Sequence, residues 1–129
     1  MAAPATTECT ITNGAGKNLV LSFSNYEPAP RTIQTTQPAN FTQPMPAIYL
    51  NGALVYELPA SLMWIIFWTT DNQVSTKMFK IGDPINWEQV AGNLHHRRST
   101  DNGPFADVNY TAEANIDRGQ VLTANITRA

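Results

Sequence analysis

The sequence predicts a mainly β protein, one antiparallel β-sandwich with a single short helix, about residues 84-94, packed on it. Apolar and polar residues alternate over several short runs, turn-forming groups separate those runs, and a single stretch repeats at helical spacing. No strand–helix–strand alternation accompanies them, which argues against a parallel sheet. All 129 residues are read as a single domain. A chain this size buries roughly two-thirds of its unfolded surface, and splitting it would starve both halves of core.

The elements follow in order. Cys9 to Asn13 reads as a strand, Asn13-Gly14-Ala15-Gly16 tolerates positive φ, and Leu19, Leu21 and Phe23 alternate with Val20, Ser22 and Ser24, giving a hairpin. Between Glu27 and Pro46 stand Pro28, Pro30, Pro38, Pro44 and Pro46, which remove ladder donors, so this stretch is read as loop with an edge strand around Thr32 to Thr36. Strands are expected at Ile48 to Leu50 and Leu54 to Leu58, with Asn51-Gly52 as either a hairpin turn or a bulge. The run Leu62 to Trp68 has no polar residue, so both faces must be covered or one must await a partner. It is too short to cross a bilayer, which takes about 20 helical residues. Trp64 is expected in the core.

Asp71-Asn72 looks like a turn, and Val74 to Ile81 returns as a strand. Asp83 can cap a helix, Pro84 fits its first position, and Trp87, Val90 and Leu94 repeat on one face, which points Trp87 toward the sandwich. His95, His96, Arg97 and Arg98 would then end that helix, either compensating its dipole or contacting an anionic group on a ligand. Asp101-Asn102-Gly103-Pro104 is read as a turn. Val108, Tyr110 and Ala112, then Leu122, Ala124 and Ile126 beyond Asp117-Arg118-Gly119, form a closing hairpin.

Only 14% of residues are charged, against about 25% in ordinary soluble domains. Thr, Asn, Ser and Gln therefore make up the surface, which suits uncharged hydrogen-bonding partners. With a net charge of -2 and no basic stripe, nucleic acid is excluded as a partner. The lone Cys9 has no internal disulfide partner and is read as a buried core residue. Met1-Ala2-Ala3-Pro4 lacks the pattern of a secretory signal, so cytoplasmic synthesis is expected, with action on target cells outside left open. Sequons at Asn40, Asn109 and Asn125 are read as chance products of a Thr/Asn-rich strand protein. Two adjacent His residues diverge, no acid pair stands at metal-ligand spacing, and no glycine-rich turn feeds a helix. No catalytic residue, metal or cofactor is expected, and the chain is not read as an enzyme.

Thr10-Ile11-Thr12-Asn13-Gly14-Ala15-Gly16-Lys17, Gly52-Ala53-Leu54-Val55-Tyr56, the helix Trp87 to Leu94, Asp101-Asn102-Gly103 with Tyr110, and Gln120 to Thr127 occur in an order that resembles the actinoporin-like superfamily. This comprises the sea-anemone actinoporins and the fungal fruit-body lectins. The resemblance implies a sandwich with a ligand site near the helix and the loop after the core strand, holding phosphocholine in actinoporins and a galactose-containing glycan in the lectins. Trp68-Thr69-Thr70-Asp71-Asn72-Gln73 stands where actinoporins carry an aromatic cluster, Ala91 and Gly92 replace paired tyrosines, and Gln89 replaces the lectins' sugar-contacting acid. Only Met1 to Thr7 precede the first predicted strand, about 10 Å of helix against a 30 Å hydrocarbon core, so an actinoporin-type pore is not expected.

Ligand-binding candidates are Trp68, Thr69, Asp71, Trp87, Gln89, Arg97 and Arg98. Trp68 ends its strand beside Thr69 and Asp71, where an aromatic face next to hydrogen-bonding groups suits a sugar. The expected function is lectin-like binding of a glycan or lipid headgroup, with peripheral membrane contact allowed, in defence, by a homo-oligomer whose weak sites act together. The alternatives are a membrane-damaging cytolysin, in which the strand Leu62 to Trp68 or a partner protein replaces the missing helix, and an interaction module using the Pro-rich stretch Glu27 to Pro46.

Overall fold

A computed structural model describes residues 5–24, 29–45 and 51–128. In chain order these form β1 (Ala5–Gly14), β2 (Leu19–Ser24), β3 (Thr32–Ile33), β4 (Ala39–Met45), β5 (Asn51–Leu58), β6 (Leu62–Thr69), β7 (Gln73–Lys80), the helix α1 (Trp87–Gly92), β8 (His95–His96), β9 (Arg98–Phe105), β10 (Val108–Asp117) and β11 (Val121–Arg128). One sheet has the order β4-β1-β11-β10-β9 and the other β3-β2-β5-β6-β7-β8. The pairings are antiparallel except that of β1 with β11, which is parallel. The architecture is the expected β-sandwich with one short helix.

Strand alternation fixes two apolar layers. Leu62, Trp64, Ile66 and Trp68 of β6 face the space between the sheets, where they meet Tyr56, Ile11, Ile116, Leu122 and Ile126. Ile65 turns to the outer face with Val55, and Val90 of α1 covers them, with Met63, Phe67, Phe79 and Ile85 at the margin. Helix and opposite sheet thus cover the two sides of the apolar run. Polar atoms of the large core rings are matched: Trp64 Nε1 donates to Thr76 Oγ1 at 2.7 Å, and the Tyr56 hydroxyl donates to the Pro30 carbonyl at 2.8 Å. Each buried Trp contributes about 4–6 kcal/mol as an upper estimate from area.

Beyond Gln73 and Val74, which pair with β8, the free edge of β7 is capped by side chains of the other sheet. The Thr76 and Met78 amides donate to Ser99 Oγ at 3.0 Å and Asp101 Oδ2 at 2.8 Å. Backbone donors that β8 is too short to reach are satisfied from β9.

Several expectations need correction. β1 and β2 do not form a hairpin, because the chain changes sheets between them. Buried Asn13 holds that corner: its Nδ2 donates to the Lys17 and Ile33 carbonyls, and its Oδ1 accepts the Ala15 amide. The first strand begins before Thr7, which is buried in β1. Residues 39–45, read as loop, form β4, whose Pro44 is tolerated because β4 is an edge strand. Asp101 to Pro104 lie within β9, also an edge strand, and the chain reverses at Ala106 and Asp107, both at positive φ. Asn51 and Gly52 both belong to β5; residues 46–50, with the expected strand at Ile48 to Leu50, lie outside the described residues. The helix starts three residues later than Pro84, because Asn86 rather than Asp83 is its N-cap and accepts the Gln89 amide at 3.0 Å. His95 to Arg98 do not end the helix; they run through β8 into β9.

Candidate ligand-binding site

The predicted site residues divide among three places. Trp68 is fully buried, because it shares the inward phase of Trp64 and Ile66, and its ring face is closed to a ligand. Its expected role as a stacking surface is therefore corrected to a core role. The indole Nε1 donates to Thr7 Oγ1 at 3.0 Å, Thr7 Oγ1 donates to Gln120 Oε1 at 3.0 Å, and Gln120 Nε2 donates to the Thr69 carbonyl and Asn72 Oδ1. Thr69 Oγ1 accepts the Asp71 and Gln73 amides. The Arg97 amide donates to the Asn72 carbonyl, and the Arg97 carbonyl accepts the Ile116 amide. Thr69, Asp71 and Arg97 are thus gathered at one end of the sandwich. Most of the polar groups there satisfy one another, leaving chiefly the exposed Asp71 and Arg97 side chains to offer.

Arg98 lies apart, on β9, in the one ion pair among the described residues: its guanidinium is 3.0 Å from Glu113. The Asn115 amide and, after it, Arg98 hold the Glu113 carboxyl below the usual carboxylate range, with burial opposing. Gln89 is exposed on α1.

The third place is built around Trp87. Rather than pointing into the sandwich, Trp87 is 39% exposed, and its ring meets Phe23 edge-on with centroids 5.9 Å apart at 61°. Phe23 reaches that face through a β-bulge. Leu21 pairs with Tyr56, an inward residue, but Phe23 pairs with Val55, an outward one, because the register shifts between them. One extra residue moves a side chain to the other face. Phe23 is 45% exposed and Val20, on the same outer face, is 44% exposed. Beside them opens a cleft of about 360 Å³ lined by Val20, Ser22, Phe23, Ala29, Arg31 and Thr32.

An aromatic pair held on a sheet and a helix, next to hydroxyls and one guanidinium, has the chemistry of a stacking and hydrogen-bonding site. The sequence reading found Trp87 but missed Phe23 and Arg31. Strict alternation from Leu19 assigns Phe23 to the core, and only the bulge contradicts it. Among the described residues no group of three His, Cys, Asp or Glu could hold a metal ion, and no helix is long and apolar enough to cross a membrane.

A search of solved structures finds the lipid binding protein Nakanori, with a TM-score of 0.62 at 11% identity, covering 99% of this chain and 72% of that one. The two share a fold. The Xerocomus chrysenteron lectin XCL also matches, with a TM-score of 0.47 at 10% identity, covering 98% of this chain and 100% of the lectin. By their descriptions both are binding proteins. No family model and no curated protein matches the sequence.

Proposed function

We propose that this chain is a non-catalytic recognition protein that binds a glycan, in the manner of a lectin, through the Trp87–Phe23 ledge and the cleft beside it. The observation that carries this reading is the exposed aromatic pair on a rigid framework. Left open to water, such rings forgo burial worth roughly 1.5–3 kcal/mol for a large apolar side chain, a cost that ligand contact recovers. Ser22, Thr32 and Arg31 beside it supply hydrogen-bond donors for sugar hydroxyls.

A lipid headgroup is the second reading. It is favoured by the fold shared with a lipid binding protein and by Arg31, whose guanidinium suits a phosphate. Either ligand would be held more firmly by several copies acting together. The cytolysin reading is weaker, because β6 is paired on both sides by β5 and β7 and its release would break the sheet. The test is binding of the purified chain to a glycan array and to liposomes measured side by side. Glycan binding supports the first reading, liposome binding alone the second, and silence on both removes the proposal.

A further inference from the structure

At the end of the sandwich where β5 turns into β6 and β9 into β10, the two sheets part to leave a second cleft, of about 710 Å³. This lies within the usual range of small-molecule sites, about 300–1,000 Å³. Its apolar lining includes Ile81, Pro104 and Phe105. Its charged residues come from different sheets: Lys80 ends β7, and Asp107 sits in the β9–β10 turn. Neither is in an ion pair among the described residues. Ser61, also in the lining, is 8% exposed and its amide donates to the Leu58 carbonyl, which fixes the turn that presents its side chain.

We infer that this cleft is a binding site for a small amphoteric molecule with an apolar body, the pattern of an apolar amino acid. Its acidic group meets Lys80, its ammonium group meets Asp107, Ser61 supplies a further hydrogen bond, and the apolar body lies on Phe105 and Ile81. Other ligand classes fit these groups less well. A purely apolar molecule would desolvate both charges without replacing their hydration. A molecule with one charge satisfies one residue and is repelled by the other. A neutral sugar finds a single aromatic ring and leaves two full charges to accept only neutral partners. The site is separate from the Trp87 ledge and stands or falls independently of it.

The test is titration of the ¹⁵N-labelled chain with L-leucine and L-phenylalanine, with acetate, butylamine, glycine and galactose as controls. The expected result is saturable movement of the Ser61, Lys80 and Asp107 amide resonances by the two apolar amino acids, with weaker effects from each control. Lys80→Met and Asp107→Asn, both at exposed positions, should each weaken binding by about tenfold or more, the value of a charge-assisted hydrogen bond. Trp87→Ala should leave it unchanged. Three results would overturn the inference: no movement with either amino acid, equal movement by a control, or wild-type affinity in both charge variants.

Discussion

The indole of Trp68 lies against Gly52, its partner on the neighbouring strand, so closely that a Cβ on Gly52 would clash with the Cζ2 and Cε2 atoms of the ring. This contact places the largest ring at that end of the core, from which Nε1 reaches Thr7. The glycine is required by this close approach, not by a positive φ. Gly52→Ala should therefore destabilise the chain by roughly 1–3 kcal/mol or more, as overpacked cores do. Urea unfolding would measure it. Combined with Trp68→Phe, the loss should be smaller than the sum of the two single losses; strict additivity would mean that the ring is not what Gly52 accommodates.

Thr7 accepts from Trp68 and donates to Gln120 through one hydroxyl. Thr7→Val keeps the shape but leaves the indole N–H and the Gln120 carbonyl oxygen without that partner. A cost of about 1–3 kcal/mol is expected, with most of it restored by Thr7→Ser. Equal midpoints for wild type and Thr7→Val would refute the network.

Burial, and to a lesser degree Glu8, push the Cys9 thiol up to about 12. In the unfolded chain it titrates near 8.5. Between these values the unfolded state has lost the proton that the folded state keeps, so stability is intact below about pH 8.5 and declines as pH rises toward 12. Burial pushes the Tyr56 phenol up as well, steepening the decline further up the scale. Chemical denaturation between pH 7 and 10 should show the loss, and Cys9→Ala should flatten its first part. An identical slope in the variant would remove Cys9 from the account.

Ala106 and Asp107 turn the β9–β10 hairpin with φ of 51° and 64°, where Asn-Gly or Asp-Gly is the favoured pair. An alanine in the left-handed region costs about 1–2 kcal/mol, partly offset in Gly by its freer unfolded chain. Ala106→Gly is expected to raise the melting temperature by a few degrees. A fall would mean that the alanine makes contacts that outweigh its backbone cost.

Legibility in the sequence follows the cleanness of each period. β6, β10 and β11 could be read because Leu62 to Trp68 has no polar interruption, and Tyr110, Ala112, Leu122, Ala124 and Ile126 alternate without a fault. β4 and β9 could not, since Pro44, Gly103 and Pro104 mark turns in most settings and are tolerated here only at sheet edges. The site was half legible for a similar reason. Trp87 stands out in any reading, but its partner Phe23 is presented by an inserted residue that periodicity cannot detect. Trp68 was misread because a strand end beside polar residues looks open, whereas the Thr7–Gln120 chain closes over it.

The most direct measurement is the affinity of wild type, Trp87→Ala and Phe23→Ala for whichever glycan or vesicle the wild type retains, with melting curves alongside. The account predicts about tenfold or greater loss in both variants, with melting temperatures within a few degrees of wild type because both rings are substantially exposed. Wild-type affinity in both would contradict it, showing that the aromatic ledge on the outer sheet is not where this protein recognises its ligand.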